Sequence, residues 1–121
     1  MDLEKNQVKF SPLVDQIVLG MMEVKAENIT VFDLTDIENS VCGHFVICDG
    51  NSNTQVKAIS NSVEKMVQEN LSDKPWHVEG RDHSEWVLMD YVNTVAHVFQ
   101  KQTREFYDLD SLWGDAKITV I

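Results

Sequence analysis

Basic residues are scarce in this chain. Twenty Asp and Glu face ten Lys and Arg over 121 residues, a formal net charge of -10. A surface of that sign repels phosphate backbones, which argues against direct binding to bare nucleic acid. It suits a basic protein partner, including one embedded in a nucleic-acid particle. Cysteine is scarce too: Cys42 and Cys48 fit a reduced cytosolic protein, and Cys48, inside the apolar run FVIC, reads as a small core residue. Long apolar runs are missing, and none approaches the roughly 20 residues of a membrane span. The polar, mixed opening MDLEKNQVKF does not read as a secretory signal. Repeats, low-complexity tracts and domain linkers are also missing, so residues 1–121 read as a single domain. At 43% hydrophobic residues that domain should fold unaided, which argues against disorder.

Residues 1–10 are polar and read as frayed. Ser11-Pro12 starts a helix, with a capping hydroxyl followed by a ring pre-set for the first helical position. Leu13, Ile17, Met21 and Val24 recur at helical spacing, which predicts an amphipathic helix over Pro12–Ala26. Ile29–Leu34 reads as a short strand rich in β-branched and aromatic residues. Thr35–Gly43 reads as a connection. His44–Asp49 is nearly all apolar, as expected of a central strand buried on both faces. Gly50–Asn53 is a turn ending in capping residues, and Val56, Ile59, Val63 and Met66 mark a second helix over about Thr54–Glu69. Trp76–Glu79, Trp86–Tyr91 and Thr94–Phe99 read as strands, the last two joined by Val92-Asn93 as a two-residue hairpin. Thr103–Trp113 reads as a short or broken helix, Gly114 ends it, and 117–121 is an apolar tail. The order is α-β-β-α-β-β-β-α: an α/β fold with a mixed five-stranded sheet and flanking helices. The unit from His44 to Glu79 is expected to be a right-handed parallel crossover.

Aromatic and Arg residues concentrate between Gly80 and Trp113. That stretch holds two of the three Trp, both Tyr, two of the five Phe, two of the four His and both Arg. Trp, Tyr and Arg anchor protein interfaces, because each offers large rigid contact area with a polar handle. Tyr107 and Trp113 accompanied by Glu105, Asp108, Asp110 and Asp115 make an apolar ridge with an acidic rim, the anatomy of a protein-docking patch. The plainer reading is that Phe106, Tyr107, Leu109 and Trp113 pack a final helix onto the sheet. His97 shares a strand face with Val95 and Phe99, which fits a packed histidine and an interface histidine equally. Asp90 could accept bonds from turn amides or pair with a partner.

Chemistry finds weaker support. Gly50–Asn53 lies where free amides at a helix start can hold phosphate, but it lacks the spacing of a P-loop or dinucleotide fingerprint, and a capped turn is the plainer account. His77, Asp82, His83 and Asp90 match no standard zinc spacing. Ser84, His97 and Asp90 could be written as a triad, yet nothing resembles a nucleophile elbow.

The joint order of FVICDGNSNTQVKAIS, WVLMDY, HVF and REFYDLDSLWGDA resembles the ribosomal silencing factor family, also called the Iojap family. The resemblance runs from about Lys25 to Ala116. It implies a nucleotidyltransferase-like fold without known catalysis, and no cofactor, metal or membrane. It implies a cytoplasmic protein that binds the large ribosomal subunit at the protein numbered fourteen on the intersubunit face. Bound there, it obstructs joining of the small subunit and lowers translation when nutrients are scarce. Many members form homodimers when free. The residues expected as partner contacts or their immediate supports are Trp86, Asp90, Tyr91, His97, Arg104, Tyr107 and Trp113, with no direct sequence-specific reading of nucleic acid.

Two departures stand out. The family usually has Gly after Asp-Tyr at the hairpin. Here Val92-Asn93 follows, and a left-handed conformation is accessible to Asn but costly for Val, which leaves the turn type open. Where the family has Thr or Ala before the turn Gly, this chain has Asp49, expected to add a charge beside the second helix. The alternative function is a metal-dependent nucleotidyltransferase-like enzyme. It would need two carboxylates converging on Mg²⁺ after the Gly-Ser turn, and TQVKAISNSVEK supplies none before Glu64.

Overall fold

The strand with the apolar run Phe45–Cys48 needs cover on both faces, and its position in the sheet supplies it. The structure, a computed structural model, describes residues 10–40 and 42–121. In chain order it contains α1 (Pro12–Glu23), β1 (Glu27–Asp33), β2 (His44–Gly50), α2 (Asn53–Leu71), β3 (His77–Glu79), β4 (Trp86–Asp90), β5 (Thr94–Gln100), α3 (Lys101–Tyr107), α4 (Leu109–Leu112) and β6 (Lys117–Val120). The expected frayed stretch over 1–10 lies, Phe10 apart, outside the described residues; Phe10 itself packs against the core.

The strands form one mixed sheet in the order β3-β4-β5-β2-β1-β6. Among the described residues the sheet therefore has six strands, not five. The apolar tail is the sixth: β6 pairs antiparallel with β1, from Thr30↔Val120 to Asp33↔Lys117. The parallel crossover expected from His44 to Glu79 is present, but its two strands are not neighbours. β3 runs in the same direction as β2 but does not pair with it, because β4 and β5 lie between them. The parallel neighbour of β2 is β5, in register from His44↔Thr94 to Gly50↔Gln100. Burial explains the exchange. β5 is buried along most of its seven residues and fills a central place, whereas β3 is three residues long with exposed ends and suits an edge.

Side-chain alternation splits the core in two. Val46 and Cys48 of β2 face α1 and α2 together with Val87, Met89, Ala96 and Val98. Phe45 and Ile47 face the other way with Phe32, Leu34 and Phe99, under partial cover from Leu109 and Trp113. The Ser11 hydroxyl accepts from the Val14 amide at 3.2 Å and caps α1. The Ser52 hydroxyl accepts from the Gln55 amide at 3.1 Å and caps α2. The two helices cross at Gly20, where a Cβ would lie 2.7 Å from the Val63 Cα; only a bare backbone permits that approach.

The hairpin closes around Val92-Asn93 as expected: the Tyr91 amide donates to the Thr94 carbonyl at 2.8 Å, although β4 itself ends at Asp90. The Asn93 amide donates to the Tyr91 carbonyl at 3.0 Å, a three-residue turn centred on Val92 at φ 77°. A β-branched residue pays strain there. The neighbours hold it: the Val92 amide donates to Asp90 Oδ1 at 2.7 Å, and the Asn93 carbonyl accepts from the amides of Gly43 and His44 at 2.8 and 3.2 Å.

Candidate partner-docking face

The sheet face away from α1 and α2 carries a connected aromatic belt. Trp86 opens β4 and Phe99 lies opposite it on β5. Their rings stack with centroids 4.7 Å apart. His97, two residues back on β5, accepts a hydrogen bond at Nδ1 from the Trp86 indole Nε1 at 3.1 Å. The His97 ring meets Phe45 edge-on at 4.7 Å, and Phe45 meets Trp113 edge-on at 5.5 Å. Tyr107 tilts against Trp86 at 5.1 Å and carries the belt to the surface.

His97 is buried, and desolvation pulls its imidazole down to about 4 against an opposing pull from Asp110. It is therefore neutral near pH 7. Since Nδ1 accepts from Trp86, the proton sits on Nε2, which finds no partner among the described residues. The packed reading of His97 is the one the structure bears out.

α3 and α4 contain no fully buried side chain. Between them Asp108 turns left-handed, at φ 51° and ψ 47°. Adjacent helical residues point about 100° apart, so Phe106 and Tyr107 cannot both face the sheet. Phe106 is 80% exposed, Tyr107 55% and Leu112 71%, flanked by exposed Glu105, Asp108 and Asp115. Leu109 and Trp113 pack inward, as the plainer reading expected; Phe106 does not.

Arg104 points inward. Its Nε and Nη2 donate to the two carboxylate oxygens of Asp110 at 3.2 and 2.8 Å. Its Nη1 donates to Asp49 Oδ2 at 3.2 Å and to the Asn28 carbonyl at 2.7 Å. Nη2 also reaches the Thr30 hydroxyl at 3.3 Å. Burial opposes the charge, but Asp110 and Asp49 outweigh it and hold the guanidinium above its ordinary range. Asp49 thus corrects a second expectation: its carboxylate lies on the face away from α2, matched by Arg104 and by the Asn28 amide at 3.2 and 3.3 Å. A cleft of about 410 Å³ opens beside this network, lined by Asn28, Lys101, Arg104, Glu105 and Asp110 among others.

The remaining candidates separate. Tyr91 lies on the opposite face, buried in the α1–α2 core, where desolvation first, then Glu64 and Asp73, raises its phenol; the hydroxyl finds no partner among the described residues. Asp90 serves the hairpin turn. The candidate triad does not assemble: the Ser84 hydroxyl donates to the Arg81 carbonyl at 2.8 Å, His97 bonds Trp86, and Asp90 bonds Val92. The Asn51 amide donates to Gln55 Oε1 at 2.7 Å, so the turn before α2 is occupied by the chain's own groups. Among the described residues no three His, Cys, Asp or Glu side chains gather to hold a metal, and no helix is long and apolar enough to cross a membrane. Sequence reasoning missed Asn28 and Thr30, whose only signal is that Arg104 needed acceptors. It also missed the outward turn of Phe106 and Leu112.

Comparison with known proteins fits this architecture. A family model described as "Ribosomal silencing factor during starvation" matches residues 7–121. The ribosomal silencing factor RsfS of Bacillus subtilis is 40% identical over 94 residues, 78% of each chain. The mouse protein named "Mitochondrial assembly of ribosomal large subunit protein 1" is 29% identical over 102 residues, covering 83% of this chain and 44% of the mouse protein. A crystal structure of a Chromobacterium violaceum protein superposes with a TM-score of 0.80 at 28% identity, covering 94% of this chain and 88% of the other.

Proposed function

The chain belongs to the ribosomal silencing factor family, and from that premise we propose that it represses translation by occupying the intersubunit face of the large ribosomal subunit. It docks there on the protein numbered fourteen and keeps the small subunit from joining when nutrients are scarce. The action is steric. A bound domain occludes the partner subunit, mass action sets the extent, and no bond is made or broken.

The observation that carries this reading is the ridge of Phe106, Tyr107 and Leu112 standing out from an acidic rim. Exposed aromatic and Leu side chains at this density mark a docking surface, and the acids around them favour a basic protein. The family name supports a ribosomal silencing role, and the mouse relative's name supports the large subunit as the partner. Tyr107 and Phe106 are the proposed contacts, with Trp86 supporting Tyr107 from beneath and Trp113 packing the segment onto Phe45. His97 and Arg104 act behind that layer. When no subunit is present, a second copy of the chain covers the ridge as a homodimer.

Co-sedimentation tests the reading. The protein should travel with purified large subunits and reduce formation of whole ribosomes when small subunits are added. Equal binding to small subunits, or unimpaired joining, would overturn it.

A further inference from the structure

α3 and α4 present the ridge yet are poorly equipped to hold it still. They are seven and four residues long and bury no side chain fully. Helices that short are not stable alone in water. Leu109 and Trp113 give partial packing, and the left-handed Asp108 breaks the segment in two. What spans the break is Arg104. It binds Asp110 bidentately on the far side of Asp108, and on the sheet side it binds Asp49 of β2 and the Asn28 carbonyl of β1. Phe106 and Tyr107 lie between the two ends of that bridge.

Resting on the docking reading above, we infer that Arg104 is a positioning residue for the ridge: with Asp49 and Asp110 it clasps α3 and α4 to the sheet and sets the angle at which Phe106 and Tyr107 meet the partner. The Arg104 side chain is 11% exposed and that of Asp49 4%, so neither presents surface for a partner to grip. A planar fork is needed. Five donors in one plane satisfy two carboxylates and a carbonyl together, which the single point charge of lysine does not do.

Three variants of the full chain test this by amide hydrogen exchange and large-subunit co-sedimentation. Arg104→Met should raise exchange across residues 101–113, leave α2 unchanged, and weaken subunit binding about tenfold, the effect of a misaligned anchor. Asp110→Asn is the milder variant, because its side chain is 35% exposed and the buried Asp49–Arg104 pair survives. It should loosen α4 and weaken binding less. Arg104→Met with Asp49→Leu replaces the buried ion pair by an apolar pair, and should recover both the protection and part of the affinity. Weakened binding with unchanged exchange would make Arg104 a direct contact and overturn the inference. So would raised exchange with binding intact. Failure of the unaltered chain to bind large subunits would overturn the docking reading alone, since the exchange results stand without it.

Discussion

The indole of Trp86 and the imidazole of His97 form a donor–acceptor pair at 3.1 Å across two neighbouring strands, and the pair defines the protonation state of the aromatic belt. An imidazole that accepts at Nδ1 from the indole N–H cannot take a second proton without breaking that bond. Burial and this bond therefore act in the same direction.

Acid should reveal the pair. His97 stays neutral in the folded chain down to about pH 4, whereas an unfolded histidine protonates near pH 6.5. Between those values the unfolded state binds more protons, so stability is fully present above about pH 6.5 and falls as pH drops toward 4, by about 3 kcal/mol at most. Urea titrations of the wild type and His97→Gln, whose amide oxygen still accepts from Trp86, should diverge in slope across that window. Parallel curves would mean that His97 titrates normally.

Removing the ridge should cost binding without costing fold. Tyr107→Ala and Phe106→Ala are each expected to weaken large-subunit binding by about 2 kcal/mol, roughly 30-fold. Because both residues are mostly exposed, the melting temperature should barely move. Circular-dichroism melts beside the binding curves check this; an unfolded variant would reassign the residue to the core.

The hairpin stores strain that glycine would release. Val92 sits at φ 77° with its side chain largely in water. Val92→Gly should raise stability by about 1 kcal/mol, the relieved conformation outweighing the entropy glycine adds to the unfolded chain. A lowered melting temperature would show that the contacts of the valine outweigh its strain.

The turn before α2 should prove structural. Ser52→Ala removes the oxygen that holds the Gln55 amide, at a cost of about 1 kcal/mol, and leaves subunit binding unchanged. Calorimetry with ATP, GTP, CTP or UTP and Mg²⁺ should give no heat. Micromolar nucleotide binding abolished by Ser52→Ala would promote the enzymatic alternative.

Much of this architecture is written in short stretches of sequence. Ser11-Pro12 and the spacing of Ile17 and Met21 mark α1, Ser52 marks the start of α2, and the unbroken apolar run of β2 announces a strand covered on both sides. The order of family-like residues from Phe45 to Ala116 likewise identifies the family from the sequence. These signals are local, since capping, periodicity and burial demand depend on residues a few positions apart. Pairing is not local. That β5 and not β3 lies beside β2, and that the tail closes the sheet as β6 against β1, depends on which strands can bury both faces once the whole chain competes for places. The site divides the same way. Aromatic and Arg content flagged the right segment, but Tyr91 lies on the far face because it continues the alternation of Val87 and Met89, the β4 residues that face α1 and α2, whereas Trp86 points the other way. Arg104 turned inward because its acceptors, Asp49 and the Asn28 carbonyl, lie 55 and 76 positions away along the chain. Only the folded sheet brings those acceptors within reach of a guanidinium, and a buried charge goes where its partners are.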